Sequence, residues 1–415
     1  MLTLGRVEAA PNADFASRLR GDLATPLHRL RPHHRQAWIR RSFTVLAVLC
    51  MLLALLVTLR LIGARVGATA FGIGVLVAVL PVPLYAAAIL FIERYEPEPP
   101  KLEALAFLYG ASVAALLAFL INTFVVHVVN VHLGIDAAEV YGRSISAPVV
   151  EECAKAAVLI FLFIRFGDDF DGIVDGVVFA GLVALGFATT ENVLYYGRGA
   201  LEHGLPGALG VFVTRGVLSP FMHPFFTAMF GIGLGIASQQ GGHLVRFGAG
   251  AAGLAGAIAL HSAWNTSVGA GVFLGVYFML MVPAFFGLVL VIVSALGREG
   301  KTVSEYLRPE VESGLIGEEE LTALASIGAR MKALRAARRR GRESYRAQRD
   351  WERTTAELAF LRHRVATGCH DDRRYGSAAD LDAGYVARLR ALRPQVAALG
   401  NSWPPRGGDA TLPIK

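Results

Sequence analysis

The sequence predicts an all-α membrane protein: a polytopic bundle of about eight transmembrane helices followed by a helical cytoplasmic tail. Three observations carry this. Hydrophobic residues make up 54% of the 415-residue chain, with a mean hydropathy of +0.49. Charged residues are 18%, against roughly a quarter in soluble domains. Most of that charge lies at the two ends, in 1–41 and 297–415, leaving the stretch between nearly free of it. The division that follows is a basic cytoplasmic segment at 1–41, a membrane domain at 42–297 and a cytoplasmic tail at 298–415.

Windows of about 19 residues pick out apolar segments near 43–62, 67–92, 103–126, 147–164, 172–196, 206–237, 246–268 and 270–296. The first follows a long charged lead, so it reads as a signal anchor and not as a cleaved signal peptide. The sixth exceeds the roughly 20 residues of one span. It contains Leu218-Ser219-Pro220, where the missing proline N–H breaks a helix. A short re-entrant piece followed by a full helix is the expectation there. Glycine is abundant in segments 5 to 8, as in Gly231-Ile232-Gly233-Leu234-Gly235, which suits close helix packing.

An even number of spans puts both termini on one side. Arg29, Arg31, Arg35, Arg40 and Arg41 precede the first span and place that side in the cytoplasm of a multi-pass cell-membrane protein. The internal loops discriminate poorly: Arg94, Lys101, Arg165, Arg246, Arg298 and Lys301 fall inside, and Arg60, Arg65, Arg143 and Arg198 outside. The net charge of +7 thus points to a lipid bilayer and not to nucleic acid. Cys50, Cys153 and Cys369 have no spacing for a disulfide or a thiolate metal site. In the tail, 331–340 and 351–365 read as amphipathic helices, and the end, with Pro404, Pro405, Gly407 and Gly408, as disordered.

Ionisable groups inside a bilayer are costly and therefore candidates for function. Segment 4 carries Glu151, Glu152 and Lys155 within about one turn. Glu151 and Lys155 share a face, and so do Glu152 and Lys155. One glutamate can serve as a general base while the other is held by Lys155. Segment 5 carries Phe187 and Glu191 on one face, with Asn192 suited to bonding a neighbouring helix. Segment 6 carries His223 between Pro220 and Pro224, and segment 7 carries His261 and Asn265 four residues apart.

The helix directions place Glu151, Glu152, Glu191, His223 and His261 at similar depth in the outer part of the bilayer, which favours one shared site. Two chemistries suit it. A glutamate can deprotonate water while His and Asn stabilise an oxyanion. Alternatively Glu191, His223 and His261 can hold Zn2+ while Glu151 or Glu152 is the base. No His-Glu-x-x-His occurs, which excludes a helix of that zinc-binding pattern. A proton- or ion-coupled transporter and a noncatalytic scaffold are the rival classes.

Several ordered motifs resemble the PrsW family of membrane proteases, within the larger Abi/CAAX-endopeptidase superfamily. They are Arg94-Tyr95-Glu96-Pro97-Glu98-Pro99, Glu151-Glu152-x-x-Lys155, Phe170-Asp171-Gly172-Ile173-Val174, Gly186 to Asn192, Arg215 to His223, and His261. The resemblance implies an α-helical intramembrane peptidase in which Glu151, Glu152 and His223 are catalytic. It also implies a single-pass membrane protein as substrate, an anti-sigma factor being one, cut near the outer face. Phe187-x-x-x-Glu191 looks like the superfamily's Phe-x-x-x-His with Glu in place of His. His261-x-x-x-Asn265 is similar to its His-x-x-x-Asn. Asp175 stands where the family commonly has tyrosine, and the basic tail lies outside the resemblance.

Overall fold

The computed structural model describes residues 34–397 except 94, 96, 97, 168, 169, 240, 241, 371 and 373–375. The arginines at 29 and 31, the side chains at 35, 40 and 41, and the Pro- and Gly-rich end lie outside the described residues. Of the motif at 94–99, only Tyr95, Glu98 and Pro99 are described. No strand is present among the described residues. Two compact units form, one spanning Arg35–Leu296 and one built from residue 297 onward.

The first unit contains α1 (His34–Val66), α2 (Ala68–Val79), α3 (Val82–Leu90), α4 (Pro100–Leu133), α5 (Ile135–Tyr141) and α6 (Ala147–Arg165). It continues with α7 (Ile173–Phe212), α8 (Met222–Ser238), α9 (His243–Gly269) and, up to Leu296, α10 (Phe273–Tyr306). Six stretches among the described residues are long and apolar enough to cross a membrane. The sequence suggested eight, and the difference has a plain cause. The fifth and sixth expected segments run together as Ile173–Ser238, and α6 falls short in apolar character because it holds Glu151, Glu152 and Lys155.

Helix α7 is central. Every residue from Ile173 to Ala188 is buried, as befits a helix that is apolar all round. Its neighbours approach closely because two contacts are made by glycine. A Cβ on Gly176 would lie 2.1 Å from the Gly231 carbonyl oxygen of α8, and one on Gly186 would lie 2.0 Å from the Phe107 oxygen of α4. Large apolar side chains such as Leu53, Leu56, Phe124, Phe247, Met279 and Leu290 remain exposed around the unit. In water that surface would be a liability; in a bilayer it faces lipid.

The long α7 is interrupted at His203 and at Gly204, whose φ is 64°. From there the chain returns along α7 in one antiparallel register, through Gly207 against Gly199, Arg215 against Asn192 and Gly231 against Gly176. A π-helical turn, Val213–Leu218, leads into the expected break at Ser219 to Phe221, and α8 follows. The piece before the break and the helix after it therefore track the same partner. The expected re-entrant piece is instead half of one interrupted helix.

The second unit holds α11 (Arg308–Glu312), α12 (Glu318–Leu324), α13 (Ile327–Arg340), α14 (Arg342–Ala366) and α15 (Ala378–Ala397). Its helices pack on one another around the fully buried Trp351, Leu358 and Leu389.

Candidate active site

Four helices contribute to one polar cluster. Measured from the end where α6 stops and α7 starts, Glu152, Glu191, His223 and His261 lie roughly 20–27 Å along their helices at 1.5 Å per residue. The similar depth inferred from sequence is therefore present in the fold.

Glu152 is the most heavily engaged. Its Oε1 accepts from the Lys155 ammonium at 2.7 Å and lies 3.0 Å from His261 Nδ1. Its Oε2 accepts from the Thr227 hydroxyl at 2.8 Å. The i,i+3 relation on α6 makes the lysine contact local, whereas Thr227 and His261 arrive from α8 and α9. Lys155 is wholly buried. Its ammonium also lies 3.3 Å from His223 Nδ1 and 4.2 Å from the centre of the Phe187 ring. Phe187 thus supports the amine by a cation–π contact.

Glu151 differs from its neighbour. It is buried, and its Oε2 makes no hydrogen bond among the described residues. The nearest cationic or imidazole partner is His261 Nε2 at 3.8 Å. A neutral His261 that donates Nδ1–H to Glu152 carries its lone pair on Nε2, on the side of Glu151. The aromatic ring of Phe226 stacks on His261 with centroids 5.1 Å apart.

His223 sits in the first turn of α8, immediately after the break that Pro220 makes. Its Nε2 is 2.9 Å from Glu191 Oε2. The same oxygen accepts from Arg215 at 2.5 Å, and Arg215 Nε donates to Asn192 Oδ1 at 2.7 Å. Asn192 therefore bonds a neighbouring helical turn, as expected, and fixes the arginine that neutralises Glu191. Asn265 donates to the Arg143 carbonyl at 3.2 Å, leaving its second amide hydrogen available.

A cavity of about 690 Å³ opens onto the cluster, lined by Glu151, Phe187, Glu191, Arg215, His223 and Asn265 among others. Glu152, Lys155, Thr227 and His261 stand behind this lining. The cluster therefore has a reactive side and a supporting side. Thr227 is not among the residues that the sequence singles out, and Arg215 enters there only as the start of a motif, with no role. Thr227 follows His223 by four residues on the same helical face, and Arg215 is a charge within an apolar stretch; each of these is a signal that could have found it.

Ligand atoms of Glu151, His223 and His261 lie within 4.8 Å of one another. This trio differs from the expected Glu191, His223 and His261. Glu191 spends its Oε2 on Arg215 and His223, which lowers its value as a metal ligand. The trio's chemistry fits zinc: one carboxylate oxygen without a hydrogen bond, one imidazole lone pair oriented by a carboxylate, and a second imidazole. His223 joins such a set by exchanging one of its present contacts, since both of its nitrogens are engaged.

Fold and site together define a helical membrane bundle with a buried carboxylate–imidazole–amine cluster at a cavity. Residues 98–288 match the PrsW family of intramembrane metalloproteases, so the resemblance drawn from the motifs holds. A protein named protease PrsW from Geobacillus kaustophilus (strain HTA426) is 34% identical over 145 residues, covering 35% of this chain and 58% of that protein. Another of that name, from Clostridioides difficile (strain 630), is 31% identical over 156 residues, covering 38% and 62%. The chain thus spans about three-fifths of the curated relatives it matches. No solved structure matches it.

Proposed function

We propose that this protein is an intramembrane endopeptidase that hydrolyses a peptide bond of a membrane-anchored protein. The observation that carries the reading is Glu151, a buried carboxylate that lines the cavity and has one oxygen without a hydrogen bond. Such a group is an acceptor for a water proton. The proton taken by Glu151 then goes to the leaving amine. Glu152, held by Lys155, Thr227 and His261, orients the His261 imidazole. The free amide hydrogen of Asn265 is placed to donate to an oxyanion that develops in the cavity, and His223 donates to it once its Nε2–H leaves Glu191. In the metal-assisted alternative Glu151, His223 and His261 would instead hold a divalent ion such as zinc, which would supply a Lewis acid for the carbonyl oxygen.

The substrate in this reading is a single-pass membrane protein, with an anti-sigma factor as the family-based candidate. Cleavage falls near the outer face, and both termini lie in the cytoplasm of a cell-membrane protein, as the basic residues before the first apolar span support. In proteoliposomes, Glu151→Gln lowers cleavage of a single-pass substrate by about 10²–10⁴-fold. Cleavage that continues unchanged in this variant sinks the reading. Metal analysis of the purified protein, with chelation and zinc add-back, distinguishes metal-assisted hydrolysis from hydrolysis by glutamate with His and Asn.

A further inference from the structure

The same cavity has a second set of charged residues that the hydrolytic chemistry does not use. Arg65 of α1, Arg143 between α5 and α6, and Arg198 of α7 all line it, joined by one carboxylate, Glu139. Among the described residues none of the three arginines forms an ion pair. Arg65 donates to the Thr123 hydroxyl at 3.3 Å and lies over the Phe119 ring. Arg143 Nε is buried with no hydrogen-bond partner. Arg198 is exposed. The unpaired buried Nε of Arg143 is the unusual one, and with Arg65 and Arg198 at the same cavity it marks a place where an anion is to be supplied.

The position of this set limits what supplies it. Arg198 lies two helical turns beyond Glu191, and Arg143 about two turns before Glu151, so both stand roughly 10–12 Å along their helices from the carboxylates of the cluster. An extended peptide covers that distance in about three or four residues at ~3.3 Å each. We propose that Arg65, Arg143 and Arg198 form a subsite for acidic side chains of the substrate, three or four residues from the bond that is cut. This rests on the peptidase reading and adds a specificity to it. The arginines line the cavity that Glu151 and His223 line, so the anion they bind belongs to the chain being cut and not to surrounding lipid.

Two fluorescent single-pass probe peptides test the subsite on the full-length protein in neutral phosphatidylcholine vesicles. Both carry the same Leu- and Ala-rich span; one has Asp and Glu in the flank after the span, the other Asn and Gln at the same places. The acidic probe is expected to show a KM lower by about tenfold with kcat nearly unchanged, the pattern of added ground-state binding. An Arg65→Gln, Arg198→Gln double variant is expected to abolish the difference, and Arg198→Glu to favour a Lys-bearing probe instead. Anisotropy with the Glu151→Gln protein reads the same preference as binding, without hydrolysis. Equal binding of both probes, or a preference that survives the double variant, overturns the subsite. So does a preference that appears only when anionic lipid is added, which assigns the arginines to headgroups. Preferential binding of the acidic probe without cleavage by the unmodified protein keeps the subsite and removes the peptidase reading.

Discussion

The two units bury carboxylates in different company. In the second unit they face guanidinium groups. Arg362 bridges Glu310 at 2.5 Å and Asp382 at 2.5 Å, Arg393 meets Glu320 at 2.6 Å, and Arg330 lies 3.4 Å from Glu352. In the membrane unit Glu152 faces an amine and an imidazole, and Glu151 faces an imidazole alone. Arginine keeps its proton at any working pH, so its pairs with Glu310, Asp382 and Glu320 act as fixed fasteners between helices. Imidazoles exchange protons near neutrality and can offer a lone pair. The contrast separates charge that holds helices together from charge arranged for chemistry. Arg215 shows both uses in one place, since it neutralises Glu191 and leaves Glu151 as the acceptor.

The largest effect expected from this contrast lies in the imidazole pair. His261→Ala and Glu152→Gln should each cost on the order of 10²–10⁴ in cleavage rate, and the double variant little more than either alone, because the two act as a unit. Multiplicative losses in initial rates would show that they act independently. Next comes Lys155→Met, which leaves Glu152 buried without its ammonium. A loss of about 3–5 kcal/mol is expected, read as a lowered midpoint of unfolding in detergent. An unchanged midpoint would mean that His261 and Thr227 suffice.

A third effect concerns pH in the second unit. Burial raises the Glu352 carboxyl to about 7, from 4.5, against the lowering influence of Arg330 and Gln348. The folded state therefore binds more protons than the unfolded state between these values, so stability falls as pH rises from 4.5 to about 7 and is level above. Hydrogen-exchange protection across Arg342–Ala366, taken relative to the intrinsic rate at each pH, should fall over that window, and Glu352→Gln should remove the dependence. Protection that grows with rising pH would reverse the assignment. The smallest effect is expected at Arg308 and Glu318, an exposed pair at 2.9 Å. Arg308→Ala should cost less than about 1 kcal/mol in a thermal unfolding measurement.

Much of the site is legible in the amino-acid sequence. Glu151, Glu152, Glu191, His223 and His261 are ionisable residues in apolar stretches, and helix direction alone aligns their depth. Lys155 is legible through its spacing from the paired glutamates. Less legible are residues whose type is ordinary for a membrane helix, such as Thr227, and charges that read as loop residues. Arg65, Arg143 and Arg198 serve in the sequence only as weak indicators of sidedness, because their meeting at one cavity depends on contacts between distant segments. The interrupted helix is half legible: Pro220 predicts the break, but the shared register with α7 needs the Gly199–Gly207 and Gly176–Gly231 contacts.

By itself, the sequence determined the helical class, the membrane setting and the set of residues from which a site is built. Those follow from the cost of burying charge and backbone polar groups in hydrocarbon, which is a local property of each stretch. Only the tertiary structure decided which glutamate is held and which is left as acceptor, and that Glu151 instead of Glu191 joins His223 and His261. The reason is rotational. Helical periodicity says which residues share a face, but the direction in which that face turns is set by packing. Here the backbone contacts at Gly176 and Gly186 lock α7 against α8 and α4, and the carboxylates take their partners accordingly.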